Sequence, residues 1–320
     1  MDFLTLLSTV APVFLVLAAG YAIRRAEWLT QEADESLLRL VVNVLFPCLI
    51  LDTFLGNAAL DRAGNLLLAP AAGFASVVLG FGAAWLAAPL FKVQTPRDRR
   101  TFAFTTGLYN YGYIPLPLTQ RLFDAQTTAV VFIHNIGVEI ALWTVGLLIL
   151  EGRAAQRASS AVPVWRRICN VPMIAIAATL ALHFAGGRAW VPAWVMSAVH
   201  LTGAAAVPLG IILSGATFCD HARHVSMRGA ARDSIGACVL RLGVLPLLML
   251  TAARWLPCPV ELKRVIIIQA AMPCAVIPVI LAKHYGGNPA MALRIILCTT
   301  LAALITIPWW IQLGLRWIGR

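Results

Sequence analysis

Residues 109–118 read YNYGYIPLPL and lie inside a stretch, Thr101 to Phe123, that is otherwise apolar and long enough to cross a bilayer. A stretch of that kind is ordinarily one continuous helix, because lipid offers no partner to a free backbone N–H or C=O. Proline removes a donor and collides with the carbonyl four residues back, at about 3 kcal/mol or more within a helix. Asn110, Gly112, Pro115 and Pro117 near the midpoint therefore predict a broken span. The freed backbone groups must face protein, a ligand or a wet cavity.

The composition supplies the membrane context. Of 320 residues, 60% are hydrophobic and only 12% charged, with a mean hydropathy of +0.82, whereas soluble domains carry roughly 25% charged residues. Apolar runs near the spanning length of about 20 residues cover 3–23, 37–56, 66–90, 101–123, 126–150, 170–187, 193–218, 234–256, 262–282 and 291–315. The expected fold is thus an all-α membrane protein of ten transmembrane helices. The first run lacks a basic leader and is followed at once by Arg24 and Arg25, which predicts a retained helix rather than a cleaved signal.

The net charge of +11 does not point to nucleic acid, because Lys and Arg sit in short loops and form no contiguous basic face. They mark topology instead. Loops after the odd-numbered runs, with adjoining helix ends, hold sixteen of the 25 basic residues; the opposite side holds eight, and Arg241 falls within a span. Both termini are expected on the non-cytoplasmic side of the inner (plasma) membrane. The seven cysteines form no C-x-x-C pair. H-E-x-x-H, G-x-S-x-G and Walker A patterns are absent, as are carboxylate pairs at metal spacing. An enzyme is not expected, nor is a metal or a cofactor.

The polar segment EGRAAQRASSAVPVWRR, 151–167, divides the chain into halves 1–150 and 168–320 of five runs each. An odd number of spans per half makes the two halves insert with opposite orientation. Inverted repeats of this kind are best seen at interrupted helices in corresponding positions. The second run carries NVLFPCLIL with Asn43 and Pro47, and its counterpart, the seventh, carries AAAVPLGIIL with Pro208. The fourth carries NYGYIPLPL, and the ninth MPCAVIPVIL with Pro273 and Pro278. Two broken helices crossing near the midplane would present half-helix N-termini with roughly +0.5 charge, which suit an anion such as a carboxylate.

At these residues the chain resembles the auxin efflux carrier family, which includes the plant PIN auxin exporters and bacterial malonate and malate carriers, and which is related in fold to the bile acid sodium symporters. The ninth run, QAAMPCAVIPVILAKHYG, is similar to the PIN-type pattern Q-A-A-x-P-x-x-x-x-P-x-x-x-A-K-x-Y at Gln269, Ala270, Ala271, Pro273, Pro278, Ala282, Lys283 and Tyr285. The fourth is similar to N-x-x-x-x-G-x-P at Asn110 and Pro117, with Pro115 where the family pattern has glycine. The resemblance implies a scaffold part and a moving transport part, elevator-type alternating access, and a homodimer. The long loop between spans five and six of the plant exporters is here cut to residues 151–167, so regulation through it is not expected.

The substrate-site candidates are Asn110, Tyr111, Pro115 and Pro117 in the fourth run, Gln269, Pro273 and Pro278 in the ninth, and Asn43 and Pro47 in the second. Asn110 and Gln269 offer amide hydrogen bonds, and Tyr109, Tyr111 or Tyr113 an aromatic cover. A charge at mid-bilayer costs about 2.5–3.5 kcal/mol, so ionisable residues in spans are functional candidates by default. His134, Asn135 and Glu139 cluster in the fifth run and, with Asp52 in the second, are candidates for proton coupling. Arg241 either pairs with a carboxylate or snorkels. The expected function is a secondary transporter of a small organic anion; the alternatives are a membrane receptor or sensor that kept the fold, and a sodium-coupled anion symporter.

Overall fold

The structure, a computed structural model, describes residues 2–155, 163–222 and 231–318. In chain order its helices are α1 (Phe3–Arg25), α2 (Gln31–Phe54), α3 (Ala63–Phe91), α4 (Pro96–Gly107), α5 (Pro115–Leu122), α6 (Ala125–Glu151) and α7 (Val171–Phe184). Then follow α8 (Ala193–Asp220), α9 (Arg232–Trp255), α10 (Val260–Ala270), α11 (Pro278–His284) and α12 (Pro289–Ile318). There is no strand among the described residues. Residues 156–162 of the predicted linker lie outside the described residues; Val164–Ile168 form a short helix.

Seven of these helices, α1, α2, α3, α6, α8, α9 and α12, are long and apolar enough to cross a membrane. The three remaining apolar runs take other forms. Residues 170–187 yield α7, only 14 residues long. The runs 101–123 and 262–282 each form two short helices, with the chain unwound over 108–114 and 271–277.

The prolines work differently from mid-helix breakers. Pro115 and Pro117 lie in the first turn of α5, and Pro278 opens α11. The first N–H groups of a helix have no intrahelical acceptor, so proline there forfeits nothing. Pro47 in α2 and Pro246 in α9 instead follow π-helical turns at Val41–Leu45 and Leu240–Val244. The wider turn draws the carbonyl four residues back away from the ring. In α9 that carbonyl, Leu242 O, accepts the Trp310 indole N–H at 2.6 Å.

Side-chain caps set several helix starts. Asp2, Thr95, Asp124 and Asn170 accept from the backbone N–H three residues on. Asp124, just outside the membrane-spanning part of α6, also pairs with Arg264 of α10 at 2.8 Å. Burial works to raise its carboxyl pKa, but the bonds from Thr127 and Arg264 outweigh that and hold it below the usual carboxylate range.

Packing sorts most of the helix pairings into two groups, which are joined chiefly where α1 meets α12. In one, α1 lies along α8, while α2 packs on α7 and on the first part of α8. In the other, α3 lies along α6 and α4, and α9 to α12 pack around them. Glycine permits the two closest pairings: a Cβ at Gly137 would stand 1.8 Å from Pro70 O between α6 and α3, and one at Gly215 would stand 2.0 Å from Leu17 O between α8 and α1. Close backbone approach through small residues is how helices gain contact where lipid supplies no hydrophobic drive. The outward faces carry Leu4, Leu15, Leu67, Leu201 and Leu301, all exposed, as a lipid-facing surface requires.

Candidate functional site

The two unwound segments lie against each other. Asn110 N–H donates to Pro273 O at 2.8 Å and Ala275 N–H donates to Leu108 O at 2.9 Å, an antiparallel bridge between Tyr109 and Cys274. Each segment thus satisfies part of the other's freed backbone, as a polar chain at membrane depth must. Cys274 N–H donates further to Thr299 Oγ1 of α12 at 3.4 Å. Asn110 Oδ1 receives long bonds of 3.4 Å from the N–H groups of Gly112 and Ile114. Its amide nitrogen makes no hydrogen bond to any described residue.

A cleft opens beside this bridge. It is lined by Asn110, Tyr113 and Ile114 from the first segment, Val276 from the second, Leu17 of α1, Ile211, Ser214 and Phe218 of α8, and Thr300 of α12. The cleft therefore lies where the two helix groups meet. Most of its wall is apolar, with Asn110, Ser214 and Thr300 as polar points and no charged side chain among the lining residues. It has room for about one water molecule.

Behind the bridge sits Arg241, fully buried in the π-helical turn of α9. Its Nη2 donates to Ala270 O, the last residue of α10, at 3.0 Å and lies 3.8 Å from the sulfur of Met249. Its guanidinium stands 5.1 Å from the centre of the Tyr109 ring. No carboxylate among the described residues pairs with it, and Nε and Nη1 are unpartnered. Arg241 neither snorkels nor joins an acid; it touches the edges of both interruptions. Tyr109 itself is buried, its hydroxyl 2.7 Å from Ser76 Oγ of α3.

The fifth-span candidates divide by face. Glu139 accepts from Tyr111 Oη at 2.8 Å and from Trp143 Nε1 at 2.7 Å. Asn135 Nδ2 donates to Tyr111 O at 2.7 Å, and Gln269 Nε2 donates to Asn135 Oδ1 at 3.2 Å. One polar chain therefore runs from Glu139 through the first interruption to the end of α10. Gln269 Oε1 remains buried and unpartnered. His134 is fully buried on another face, its ring 6.4 Å from that of Tyr109, with no partner of good geometry at either nitrogen. No hydrogen bond joins it to Glu139.

The remaining candidates lie apart. Asn43 is exposed on the π-helical turn of α2, with Pro47 half-buried after it. Asp52, near the end of α2, pairs with His200 of α8 at 2.8 Å. Pro273 and Pro278 are both buried, but only Pro273 takes part in the bridge, through the carbonyl that accepts the Asn110 N–H. Of the three tyrosines in YNYGYIPLPL, Tyr113 lines the cleft, whereas Tyr109 and Tyr111 are held by Ser76 and Glu139. Sequence reasoning missed Ser214, although its place one helical turn beyond Gly210 was readable. Nothing in the sequence singled out Thr300.

Many apolar helices and a polar, unwound centre define a multi-pass membrane protein of the transporter class. The comparison with known families agrees: residues 5–311 match the model described as Membrane transport protein, and the chain belongs to that family, the auxin efflux carrier type that its ninth apolar run resembles. A protein described as an uncharacterized transporter from Methanothermobacter thermautotrophicus is 25% identical over 321 residues, covering 97% of this chain and 99% of the relative.

Proposed function

We propose that this protein is a secondary transporter carrying a small organic anion, a carboxylate, held where the two interrupted spans cross. The observation that carries the reading is the pair of bridged, unwound segments beside a cleft between two helix groups, with Asn110, whose amide nitrogen is uncommitted, in its wall. Three sources of positive potential favour an anion there. They are the Asn110 amide, the N-terminus of α5, and Arg241, a buried cation that no acid among the described residues neutralises. The apolar wall suits the body of a carboxylate rather than a second charge.

In this reading residues 1–150 and 168–320 are inverted five-span halves, and 108–114 and 271–277 are the unwound centres of the fourth and ninth of ten spans. The group α1, α2, α7 and α8 serves as scaffold, and the other group moves against it as an elevator. The polar chain that ends on Glu139 gives a route by which protonation would reach the interruption through Tyr111. The carrier works as a homodimer with both termini non-cytoplasmic, so a cytoplasm-dependent reporter fused to either end should stay dark.

Flux in proteoliposomes is the test. Counterflow of a labelled short-chain carboxylate is the expected result. Binding with no flux would favour a receptor that kept the fold, and an absolute need for a sodium gradient would favour the sodium-coupled alternative.

A further inference from the structure

Building on the anion-carrier reading, we propose that Tyr113 sets the size of the anion: its ring sits in a notch at Gly210 and closes the cleft from the scaffold side. The observation is steric. A Cβ at residue 210 would stand 2.1 Å from Cε1 and 2.4 Å from Cδ1 of Tyr113, far inside van der Waals contact. Glycine at this position of α8 is what admits the ring. Phe46 of α2 flanks it, with ring centroids 6.1 Å apart.

Three elements thus meet at one side chain. Tyr113 belongs to the first interruption, while Gly210 and Phe46 belong to the group that packs with α1, so a ring from one helix group is bedded in the other. Polar lining stands on both sides of it: Asn110 three residues before Tyr113, and Ser214 one turn beyond Gly210. With the ring seated, the cleft has room for about one water molecule. The ring must therefore swing for any carboxylate to enter: a short one needs only part of the space the ring fills, whereas an aromatic one needs all of it. Deleting a large side chain from an apolar wall leaves a hole that takes a guest of the same shape, as benzene fills such cavities elsewhere. Tyr109 and Tyr111 are tied to Ser76 and Glu139 and do not compete for this role.

The ladder of probes is acetate, propionate and benzoate, titrated by calorimetry and thermal shift against the purified full chain in detergent. Wild type is expected to bind acetate and propionate and to reject benzoate. Tyr113→Ala should gain benzoate affinity by roughly 10- to 200-fold, the range that a changed pocket volume commands. Gly210→Ala should lower the melting temperature of the wild type but not of the Tyr113→Ala protein, because the clash exists only while the ring is there. Wild-type binding of benzoate as tight as propionate overturns the proposal, as does a Tyr113→Ala protein that binds propionate with no gain for benzoate. If Tyr113→Ala does not fold, Tyr113→Leu carries the same comparison with a smaller gain. Failure of every protein to bind any carboxylate would instead remove the anion reading beneath the proposal; unchanged size selection among bound carboxylates removes the proposal alone.

Discussion

Replacing Arg241 with methionine separates its contribution to folding from its contribution to the anion. On the favourable side stand one charge-assisted hydrogen bond to Ala270 O at 3.0 Å, worth about 1.5–3 kcal/mol, and the contact over Tyr109, worth about 2 kcal/mol when desolvated. Opposing them is the effective penalty of burying a guanidinium, several kcal/mol. The two sides nearly cancel. Methionine retains much of the volume, so Arg241→Met should change stability by no more than about 2 kcal/mol in either direction. Arg241→Ala adds a cavity worth about 2–5 kcal/mol and should melt lower. Anion binding should respond differently. The guanidinium lies 5.1 Å from the Tyr109 ring and Asn110 is the next residue, so a bound carboxylate would sit roughly 10 Å away. At an effective dielectric of about 20 the lost attraction is then about 1.7 kcal/mol, a loss of affinity of roughly 15- to 20-fold. Melting curves and propionate titrations on the same preparation decide the matter. A Met variant that melts far below wild type while its folded fraction binds propionate normally would refute the argument, making Arg241 a clasp for the interruptions and nothing more.

Asn110→Ala removes an amide from the wall of the cleft and should cost about 1.5–3 kcal/mol of binding to a charged group, a drop of roughly tenfold to over a hundredfold in affinity measured by calorimetry. Glu139→Gln should fold normally, because an amide can still accept from Trp143 and bond to Tyr111; if Glu139 couples protons, the pH dependence of uptake disappears in this variant, and a retained pH profile returns Glu139 to a structural role. Pro117→Ala should leave uptake and the melting temperature close to wild type, since Pro117 lies in the first turn of α5 and the change acts mainly through the unfolded chain, by about 0.4–1 kcal/mol. Collapse of transport in a stable Pro117→Ala protein would show that the proline itself keeps the span open.

The sequence alone determined the membrane class, the family and the two places where an apolar run is broken, because each depends on local properties. Hydropathy is additive along a run, and proline and glycine act on the backbone where they stand. The same locality explains which details it could not deliver. Pro115 and Pro117 announced an interruption, yet whether they lie within it or just past it depends on which carbonyl the preceding residues find, and Pro273 O and Leu108 O are 163 to 167 residues away from their donors. Arg241 was conspicuous in an apolar run, but its partners, a backbone carbonyl of α10 and a tyrosine ring, carry no charge pattern that could have paired them in advance. His134 and Glu139 are five residues apart on one helix and reach different neighbours, because facing is set by α3 on one side and by Tyr111 on the other. The choice among three tyrosines within five residues was likewise made by the fold: Ser76, Glu139 and the bare backbone of Gly210 each receive one. Side-chain chemistry sets what a residue is able to bind; long-range packing decides what is within reach.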